Sequence, residues 1–234
     1  MKKKKNMTVA IVAAAGSGKR LKSRTDKPFV KINGIPLVIH TLRIFDRTRS
    51  VDQVILAVDP KHVSKFGAML KEYGIKKVVR IVAGGKTRQA SVYNALKSAE
   101  DSAIVIVHDC ARPFTGVSLV EKTIRTAKRC GGAIAAERAR DTIKRVGAGG
   151  IIDDTLNRKI IWCAQTPQVF RFADLVAAYE RAGVKNIKAT DDSFLIEIFG
   201  GKVKVVESGS CNMKITTKDD LLYAENILRQ KTTD

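Results

Sequence analysis

Residues Val9–Phe29 read VAIVAAAGSGKRLKSRTDKPF, an apolar run that ends in a glycine loop and is followed by basic side chains. The run is short, continuous and rich in valine and isoleucine, as buried parallel strands are. Ligands of open parallel sheets bind beyond the carboxyl ends of the strands. The stretch therefore predicts an α/β fold whose first loop is a binding site.

The glycine loop matches neither of the two common phosphate-binding motifs. A dinucleotide-binding loop needs a third glycine where this chain has Leu21, and a Walker loop needs glycine and Ser/Thr where it has Ala13 and Arg20. Glycines still let backbone N–H groups point at an anion. With the charges of Arg20 and Lys27, this loop suits a triphosphate. The alternative, a plain β–α turn with surface lysines, is the commoner meaning of a lone G-x-G.

The rest of the chain alternates strand and helix patterns. The four clearest strand candidates read TVAIVAA, QVILAVD, KVVRIVA and AIVIVHD, and apolar side chains at helical spacing lie between them. Capping boxes at Ser118–Glu121 and Thr217–Asp220 predict the starts of two helices. Repeated β–α units predict a doubly wound, mostly parallel sheet in a single domain spanning residues 1–234.

One region, from about Ala139 to Gln165, interrupts this alternation. GAGG separates DTIKRV from IIDDTL there, which is typical of a β-hairpin with a glycine-rich turn. A projecting two-stranded arm is barely stable alone. We therefore expect this β-arm to pack on a second subunit and to form a homodimer.

The excess of basic over acidic residues indicates that the binding partner is an anion. Among 234 residues, 43 are Lys or Arg and 23 are Asp or Glu, which gives a formal net charge of +20. Such a surface attracts polyanions, and a basic nucleic-acid-binding protein is one interpretation. Against it, aromatic residues are only 6% of the chain and no basic stripe interleaved with aromatics is present. An anionic small-molecule substrate without specific nucleic acid is the preferred interpretation.

Compartment and membrane signals point to a cytoplasmic protein. The basic start MKKKKN followed by an apolar run imitates a secretion signal, but the seven-residue run Val9–Ala15 is the bare minimum for one and leads into the glycine loop, so secretion is the less favoured interpretation. No apolar run approaches the length that spans a membrane. The cysteines are widely scattered, which favours reduced thiols over a disulfide framework or a zinc site. They are Cys110, Cys130, Cys163 and Cys211.

A candidate metal ligand follows the strand AIVIVHD. Asp109 lies at the carboxyl end of this strand, where a carboxylate can hold Mg²⁺ beside a phosphate. Arg112 is near enough in sequence to pair with Asp109 or with a phosphate, and a purely structural Asp–Arg pair is an equal alternative. His108 is expected to be a structural hydrogen-bonding residue.

Two further segments complete the predicted site. AGGKTRQASV places Gly85 and Ser91 at another strand end, where they line a base or sugar pocket or simply form a loop and a helix cap. NMKITTKDDL places Lys214 just before the last predicted helix.

These segments, in this order, resemble the 2-C-methyl-D-erythritol 4-phosphate cytidylyltransferase family. The resemblance runs from about Val9 to Leu228 and is carried by AAAGSGKR, NGIPLVIHTL, AGGKTRQASV, HDCARPF, DTIK, TPQVF, TDDS and NMKIT. It implies a Rossmann-like nucleotidyltransferase fold, a homodimer joined by β-arms, and a Mg²⁺-assisted reaction. That reaction converts CTP and methylerythritol phosphate to a CDP-alcohol and diphosphate, in isoprenoid precursor synthesis.

The resemblance also implies roles for individual residues. Positions that stabilise the triphosphate in the family are occupied by Arg20, Lys27 and Lys214. Positions that hold CTP are Ala14, Ala15, Gly16, Gly18, Gly85, Ser91, Asp109 and Arg112, of which Asp109 is associated with the metal. Positions near the sugar phosphate are Asp141, Thr142, Arg158, Thr166, Thr190 and Asp191, some of them acting across the dimer.

The chain departs from the family pattern around its lysine. The family usually reads P-K-Q, whereas this chain has Asp26, Lys27 and Pro28, and Asp26 is placed to pair with Lys27. After the glycine pair, Lys86 replaces the commoner acidic residue, and Cys110 replaces alanine. These departures leave open the details of nucleotide contact. They also leave a ribitol- or other polyol-phosphate cytidylyltransferase as an alternative within the class.

Overall fold

The computed structural model describes residues 7–16, 18–21, 23, 25–100 and 102–233. The basic leader MKKKKN, together with Ser17, Lys22 and Arg24 of the first loop, lies outside the described residues. The strands are β1 (Met7–Ala14), β2 (Lys31–Ile32), β3 (Ile35–Pro36), β4 (Gln53–Val58), β5 (Val78–Ala83), β6 (Ser102–Asp109), β7 (Gly132–Arg138), β8 (Lys144–Val146), β9 (Ile152–Thr155), β10 (Trp162–Arg171) and β11 (Val203–Glu207). The α-helices are α1 (Leu37–Arg47), α2 (Val63–Glu72), α3 (Arg88–Leu96), α4 (Val117–Cys130), α5 (Phe172–Val184), α6 (Asp192–Ile198) and α7 (Lys218–Thr233).

Seven strands form one mostly parallel sheet, as the sequence predicts. Their order is β11-β7-β10-β6-β1-β4-β5. All neighbouring pairs are parallel except those of β10, which runs antiparallel to both β6 and β7. The four predicted strands are confirmed as β1, β4, β5 and β6. The antiparallel β10 was not predicted.

Helices cover both faces of the sheet because the buried strands are apolar on both sides. In β1, Ala10 and Val12 join a core cluster that includes Phe66 of α2, while Val9 and Ile11 join a second cluster with side chains of α3, α5 and α6. The first cluster also takes in α1 and α4. This arrangement confirms the doubly wound prediction.

The two predicted capping boxes differ in outcome. Before α7, the Asp220 carboxylate accepts hydrogen bonds from the backbone N–H groups of Thr216 and Thr217 at 2.7 and 2.8 Å, so this box is confirmed. The prediction at Ser118 is wrong: α4 begins at Val117 after Gly116, without a side-chain cap. Its presumed partner, Glu121, instead accepts hydrogen bonds from the backbone and hydroxyl of Ser50.

The predicted hairpin forms from β8 and β9, which pair antiparallel. The turn between them includes Gly149 and Gly150 at φ of 74° and 80°, a left-handed conformation that favours glycine. All residues of both strands are exposed. The last part of the predicted arm, 162–165, belongs instead to the main sheet, where β10 pairs with β7.

The structure bears on membrane-spanning helices and on the cysteines. No described helix combines the length and the apolar character needed to cross a membrane. All four cysteines carry free thiols, and Cys110 is the buried one.

Candidate functional site

A cavity of about 630 Å³ opens at the carboxyl ends of the four adjacent parallel strands β6, β1, β4 and β5. It is therefore located where an open parallel sheet binds its ligand. Ten of the predicted site residues line it: Ala14, Ala15, Gly16, Gly18, Arg20, Lys27, Gly85, Ser91, Asp109 and Lys214.

The first wall of the cavity is the glycine loop. This loop packs against the short 3₁₀ turn Lys27–Phe29, called the Lys27 turn below. Gly18 has φ of +68°, and a Cβ added to it would lie 2.6 Å from the Cβ of Lys27. Any side chain at Gly18 would therefore push the Lys27 turn away. The close approach explains why this second glycine of the loop is needed.

The second wall is the loop between β5 and α3. The Ser91 hydroxyl accepts a hydrogen bond from the backbone N–H of Gly85 at 3.0 Å and donates one to the carbonyl of Thr87 at 2.8 Å. A Cβ added to Gly84 would lie 2.6 Å from the Cβ of Ala15. Ser91 orders this loop, and Thr87, not Ser91, caps α3 by accepting from the backbone N–H of Ala90.

Asp109, the last residue of β6, is held by two cations. Its Oδ1 accepts from Nε of Arg88 at 2.9 Å, and its Oδ2 accepts from Nζ of Lys214 at 2.6 Å. Burial alone would raise the pKa of this carboxyl, but the charges of Arg88 and Lys214 outweigh burial and hold the pKa well below its usual range. Asp109 is therefore a permanently charged carboxylate at neutral pH.

Arg88 also reaches a second, fully buried carboxylate. Its Nη2 donates to Oδ2 of Asp192 at 2.8 Å, while the hydroxyl of Tyr179 donates to the other oxygen of Asp192. Burial would lower the pKa of Arg88, but Asp192 and Asp109 raise it above its usual value. Arg88, Asp192 and Tyr179 are functional or supporting residues that sequence reasoning missed. Arg88 lies within the quoted AGGKTRQASV segment, but its partners lie far away in sequence.

Lys27 differs from Lys214, which pairs with Asp109, in forming no ion pair with the residues that the structure describes. Among the described residues, none places a carboxylate within ion-pair distance of its ammonium. Burial, and then the neighbouring charge of Lys214, lowers the pKa of Lys27. The predicted pair with Asp26 is wrong, because the Asp26 carboxylate turns to Lys61 and His62, at 2.8 and 2.6 Å. A half-buried ammonium in a cavity, with no carboxylate of the described residues at ion-pair distance, favours an anionic ligand.

Arg112 does not pair with Asp109, contrary to one prediction. Its guanidinium is buried and donates from Nη1 to the backbone carbonyl of Asn212 at 2.6 Å. His108 is also fully buried, and its Nε2 lies 3.4 Å from the backbone carbonyl oxygen of Arg112. Burial lowers the pKa of His108 to about 4. His108 is thus a neutral structural residue, as expected. Arg112 lies outside the cavity lining, and its contact with CTP stays a prediction.

The residues predicted near the sugar phosphate are dispersed in the single chain. Asp141, Thr142 and Arg158 are exposed on or beside the hairpin, and Thr190 is exposed before α6. Thr166 accepts from the backbone N–H of Asp109 at 3.1 Å, close to the cavity. The carboxylate of Asp191 caps α6 by accepting from Phe194 N at 2.9 Å. None of these six residues is among those that line the cavity.

The fit of the cavity to Mg²⁺ depends on Asp109. The described residues contain no cluster of three or more side chains that could hold a metal by themselves. Mg²⁺ is commonly bound by one or two carboxylates together with phosphate oxygens of a substrate. Each Asp109 oxygen has two acceptor positions and uses one for a hydrogen bond to Arg88 or Lys214. Asp109 therefore fits as a single protein ligand for a phosphate-bound ion.

Comparison with known proteins identifies the family. The model of the IspD family, 2-C-methyl-D-erythritol 4-phosphate cytidylyltransferase, matches residues 8–230. The chain belongs to this family. The Geobacillus kaustophilus cytidylyltransferase is 39% identical over 225 residues, covering 96% of this chain and 98% of the relative. The Bacillus licheniformis cytidylyltransferase is 41% identical over 218 residues, covering 93% and 94%.

Solved structures agree with this family membership. The 4-diphosphocytidyl-2C-methyl-D-erythritol synthase of Anaerococcus prevotii has a TM-score of 0.86 and 33% identity, and 96% of each chain is covered. The cytidylyltransferase of Thermus thermophilus has a TM-score of 0.76 and 31% identity, covering 94% of this chain and 98% of the other. The resemblance found in the sequence is confirmed. The chain is a cytidylyltransferase, and hence a nucleotidyltransferase enzyme, of isoprenoid precursor biosynthesis.

Proposed function

We propose that the chain carries out its reaction in the cavity at the carboxyl ends of β6, β1, β4 and β5. CTP and 2-C-methyl-D-erythritol 4-phosphate are converted there to 4-diphosphocytidyl-2-C-methyl-D-erythritol and diphosphate. The observation that carries this proposal is the charge of the cavity lining. Five basic side chains and only two carboxylates are among its described residues. The basic ones are Arg20, Lys27, Lys86, Arg88 and Lys214, and the acidic ones are Asp59 and Asp109.

The reaction needs cations more than it needs a base. A phosphate monoester has a second pKa of about 6, so the acceptor is already a dianionic nucleophile near neutral pH. Its oxygen attacks the α-phosphorus of CTP, and the bond from that phosphorus to the oxygen bridging to the β-phosphorus breaks. Diphosphate leaves with the electron pair. The barrier comes from bringing two anions together, and it is lowered by positioned positive charge.

Each cation has a position suited to one part of this task. Lys27 is next to the glycine loop, and no carboxylate of the described residues lies at ion-pair distance from its ammonium, so this group is available to the triphosphate. Arg20 is exposed in the lining, where an incoming phosphate would meet it first. Lys214 is anchored by Asp109 but retains further N–H donors for phosphate oxygens. The backbone of Ala14, Ala15, Gly16, Gly18 and Gly85 would then surround the nucleotide, with Ser91 ordering the second wall.

Mg²⁺ would be held by Asp109 together with phosphate oxygens of CTP. When bound there, it would neutralise part of the charge of the triphosphate and of the leaving diphosphate. The protein contributes the fixed direction of the carboxylate. Arg88 and Lys214 hold both oxygens of Asp109, and Thr166 accepts from its backbone N–H.

The acceptor half of the site would be completed by the β-arm of a second subunit. The hairpin and the segment after it expose large apolar side chains, which a monomer rarely groups without a function. They include Val146, Ile151, Ile152 and Ile160, with exposed fractions of 53%, 70%, 57% and 74%. Arg158 lies beside Ile160, so an arm packed on a partner would also bring a guanidinium with it.

Replacing an apolar residue of the arm by a charge should weaken this dimer. For Ile152→Lys we expect the sedimentation coefficient to change from that of a dimer to that of a monomer at micromolar protein. Val184→Lys is the matched control, because Val184 is equally apolar and 86% exposed but lies on α5. If wild-type protein sediments as a monomer at the same concentration, the dimer proposal is wrong.

Arg158→Ala should raise the KM for the sugar phosphate more than the KM for CTP. The guanidinium is exposed, and among described contacts it donates only to the carbonyl of Arg140, at 2.7 Å, so a phosphate could engage its remaining donors. We expect the KM for the sugar phosphate to rise roughly tenfold or more, which corresponds to the loss of one charge-assisted hydrogen bond. Arg145→Ala, on the same hairpin, is the control. Equal changes in both KM values would contradict the assignment.

Diphosphate release measured with CTP, Mg²⁺ and methylerythritol phosphate tests the whole proposal. Ribitol phosphate in place of methylerythritol phosphate tests the alternative acceptor, and omission of Mg²⁺ tests the metal. We expect release only with methylerythritol phosphate and the metal present. Faster turnover of ribitol phosphate would overturn the substrate assignment.

A further inference from the structure

The Lys27 turn is fastened to the protein from one side by a contact that the reaction itself does not use. Asp26, directly before Lys27, accepts a hydrogen bond from Nε2 of His62 at 2.6 Å. His62 ends the short 3₁₀ turn Pro60–His62, which follows β4. Asp59, just before that turn, lines the cavity. The Asp26–His62 contact thus joins two segments that both border the cavity.

Aromatic packing also holds His62 in place beside Asp26. The rings of His62 and Phe29 meet edge to face with centroids 4.8 Å apart, and Phe29 in turn packs on Phe66 of α2 at 5.0 Å. Phe29 is buried, and its backbone N–H donates to the carbonyl of Asp26 at 2.9 Å. His62 therefore touches the Lys27 turn on both sides of the lysine, through a carboxylate before it and a ring after it.

The other side of the turn faces the glycine loop. The Cβ of Lys27 lies so close to Gly18 that the loop has no room for a side chain. The direction of the Lys27 ammonium is consequently limited by contacts on two sides of the turn. On one side is the glycine loop, which lines the cavity, and on the other is His62, which does not line it.

We propose that Asp26 and His62 are a positioning pair that fixes the direction in which the Lys27 ammonium enters the cavity. The inference rests on the proposed function, because it gives Lys27 a role on the triphosphate. Lys61 also pairs with Asp26, but its side chain is 58% exposed, and an exposed ion pair contributes little to holding a side chain in place. His62 differs, since its side chain is only 20% exposed and its ring is packed against Phe29. Hydrogen bonds from Lys61 and then His62 lower the pKa of Asp26, which keeps the carboxylate charged at neutral pH.

The test compares Asp26→Ala, His62→Ala and the double variant in steady-state kinetics. We expect kcat to fall about tenfold or more in each single variant, with KM for the sugar phosphate changed less than twofold, because a displacement of about 1 Å in a catalytic group costs up to 100-fold. The double variant should lose no more than either single one. His62→Gln, which can still donate a hydrogen bond to Asp26, should recover most of the loss. Lys61→Met, the matched control on the same carboxylate, should stay within twofold.

A readout independent of turnover is the acylation of Lys27, followed by peptide mass spectrometry with and without CTP. In the wild-type protein, CTP should protect Lys27 from an amine-acylating reagent. In Asp26→Ala or His62→Ala, the protection should fall severalfold although the urea midpoint is retained. If an alanine variant does not fold, His62→Phe serves as the second variant, because it keeps an aromatic ring against Phe29 but cannot donate a hydrogen bond to Asp26.

The outcomes separate this inference from the proposed function. Wild-type turnover and CTP protection in Asp26→Ala and His62→Ala, with an inactive Lys27→Ala, would overturn the positioning pair and leave the role of Lys27 intact. Independent, additive losses in the double variant would also overturn the pair. Wild-type turnover in Lys27→Ala would overturn the role of the lysine and the pair together.

Discussion

Lys27→Ala is expected to lower kcat by about 100-fold or more, the usual cost of removing one preorganised donor from a developing charge. The ammonium is half-buried in the cavity with no carboxylate partner among the described residues, so its charge is not already neutralised. Burial, and then the charge of Lys214, lowers the pKa of Lys27, so an anionic ligand bound in the cavity would stabilise the charged ammonium. The measurement is diphosphate release at saturating CTP and sugar phosphate.

Two further variants distinguish the role of Lys27 from a general effect of positive charge. Lys31→Ala removes an exposed lysine of β2, just after the Lys27 turn, and should keep turnover within twofold of wild type. Lys27→Arg keeps the charge but changes its shape and reach, so it should recover only part of the rate. Near-normal turnover in purified Lys27→Ala would contradict the catalytic role. A loss of the same size in Lys31→Ala would mean that net charge, rather than the position of Lys27, governs the rate.

The sheet could be predicted from sequence because its signal is local. Strands β1, β4 and β6 contain continuous apolar runs that are buried on both faces. Strand β5, at the edge of the sheet, is less buried and contains Arg80, but its valines and isoleucine still gave a strand signal. Strand β10 gave no such signal. It begins with Trp162, Cys163 and Ala164, the last two of which are exposed, and it includes Pro167, which cannot donate to a ladder. Its pairing with β7 also shifts register between Ala164 and Gln168.

The site was predicted less completely than the sheet, for a physical reason. Glycines and lysines at strand ends are visible in the sequence, and the fold brings them together because parallel strands share one carboxyl edge. Which side chains pair within that edge depends on long-range contacts. Asp26 lies beside Lys27 in sequence but bonds to His62, and Asp109 pairs with Arg88 instead of the nearby Arg112. Proximity in sequence therefore identified the right segments but the wrong partners.

Arg88→Met is expected to lower the free energy of unfolding by about 3 kcal/mol, the lower end for a buried ion pair, because the Arg88 side chain is 31% exposed whereas Asp192, which loses its counterion, is fully buried. Arg88 bridges Asp109 and the fully buried Asp192, so its loss affects two carboxylates. Lys214 still holds Asp109, whereas Asp192 would keep only the hydroxyl of Tyr179 among its described side-chain partners. Urea unfolding at pH 7 measures the change.

The matched control is Arg145→Met on the hairpin, where Arg145 and Asp154 are 3.4 Å apart and both exposed. An exposed pair of this kind contributes about 0–1 kcal/mol, so the two variants differ in burial rather than in chemistry. Losses of equal size would show that the Arg88 bridge contributes no more than a surface pair.

The pH dependence of the Arg88→Met effect follows from Asp109. Its pKa is lower in the folded protein than the usual value of about 3.9 expected in the unfolded chain. Its contribution to stability is therefore present above about pH 4 and declines as the pH falls further, because the folded state resists protonation. Since Arg88 is one of the two charges that lower this pKa, the difference in unfolding free energy between wild type and Arg88→Met should be largest near neutral pH and should shrink below about pH 4. A difference that stays constant down to pH 2 would mean that Arg88 does not act through the charge of Asp109.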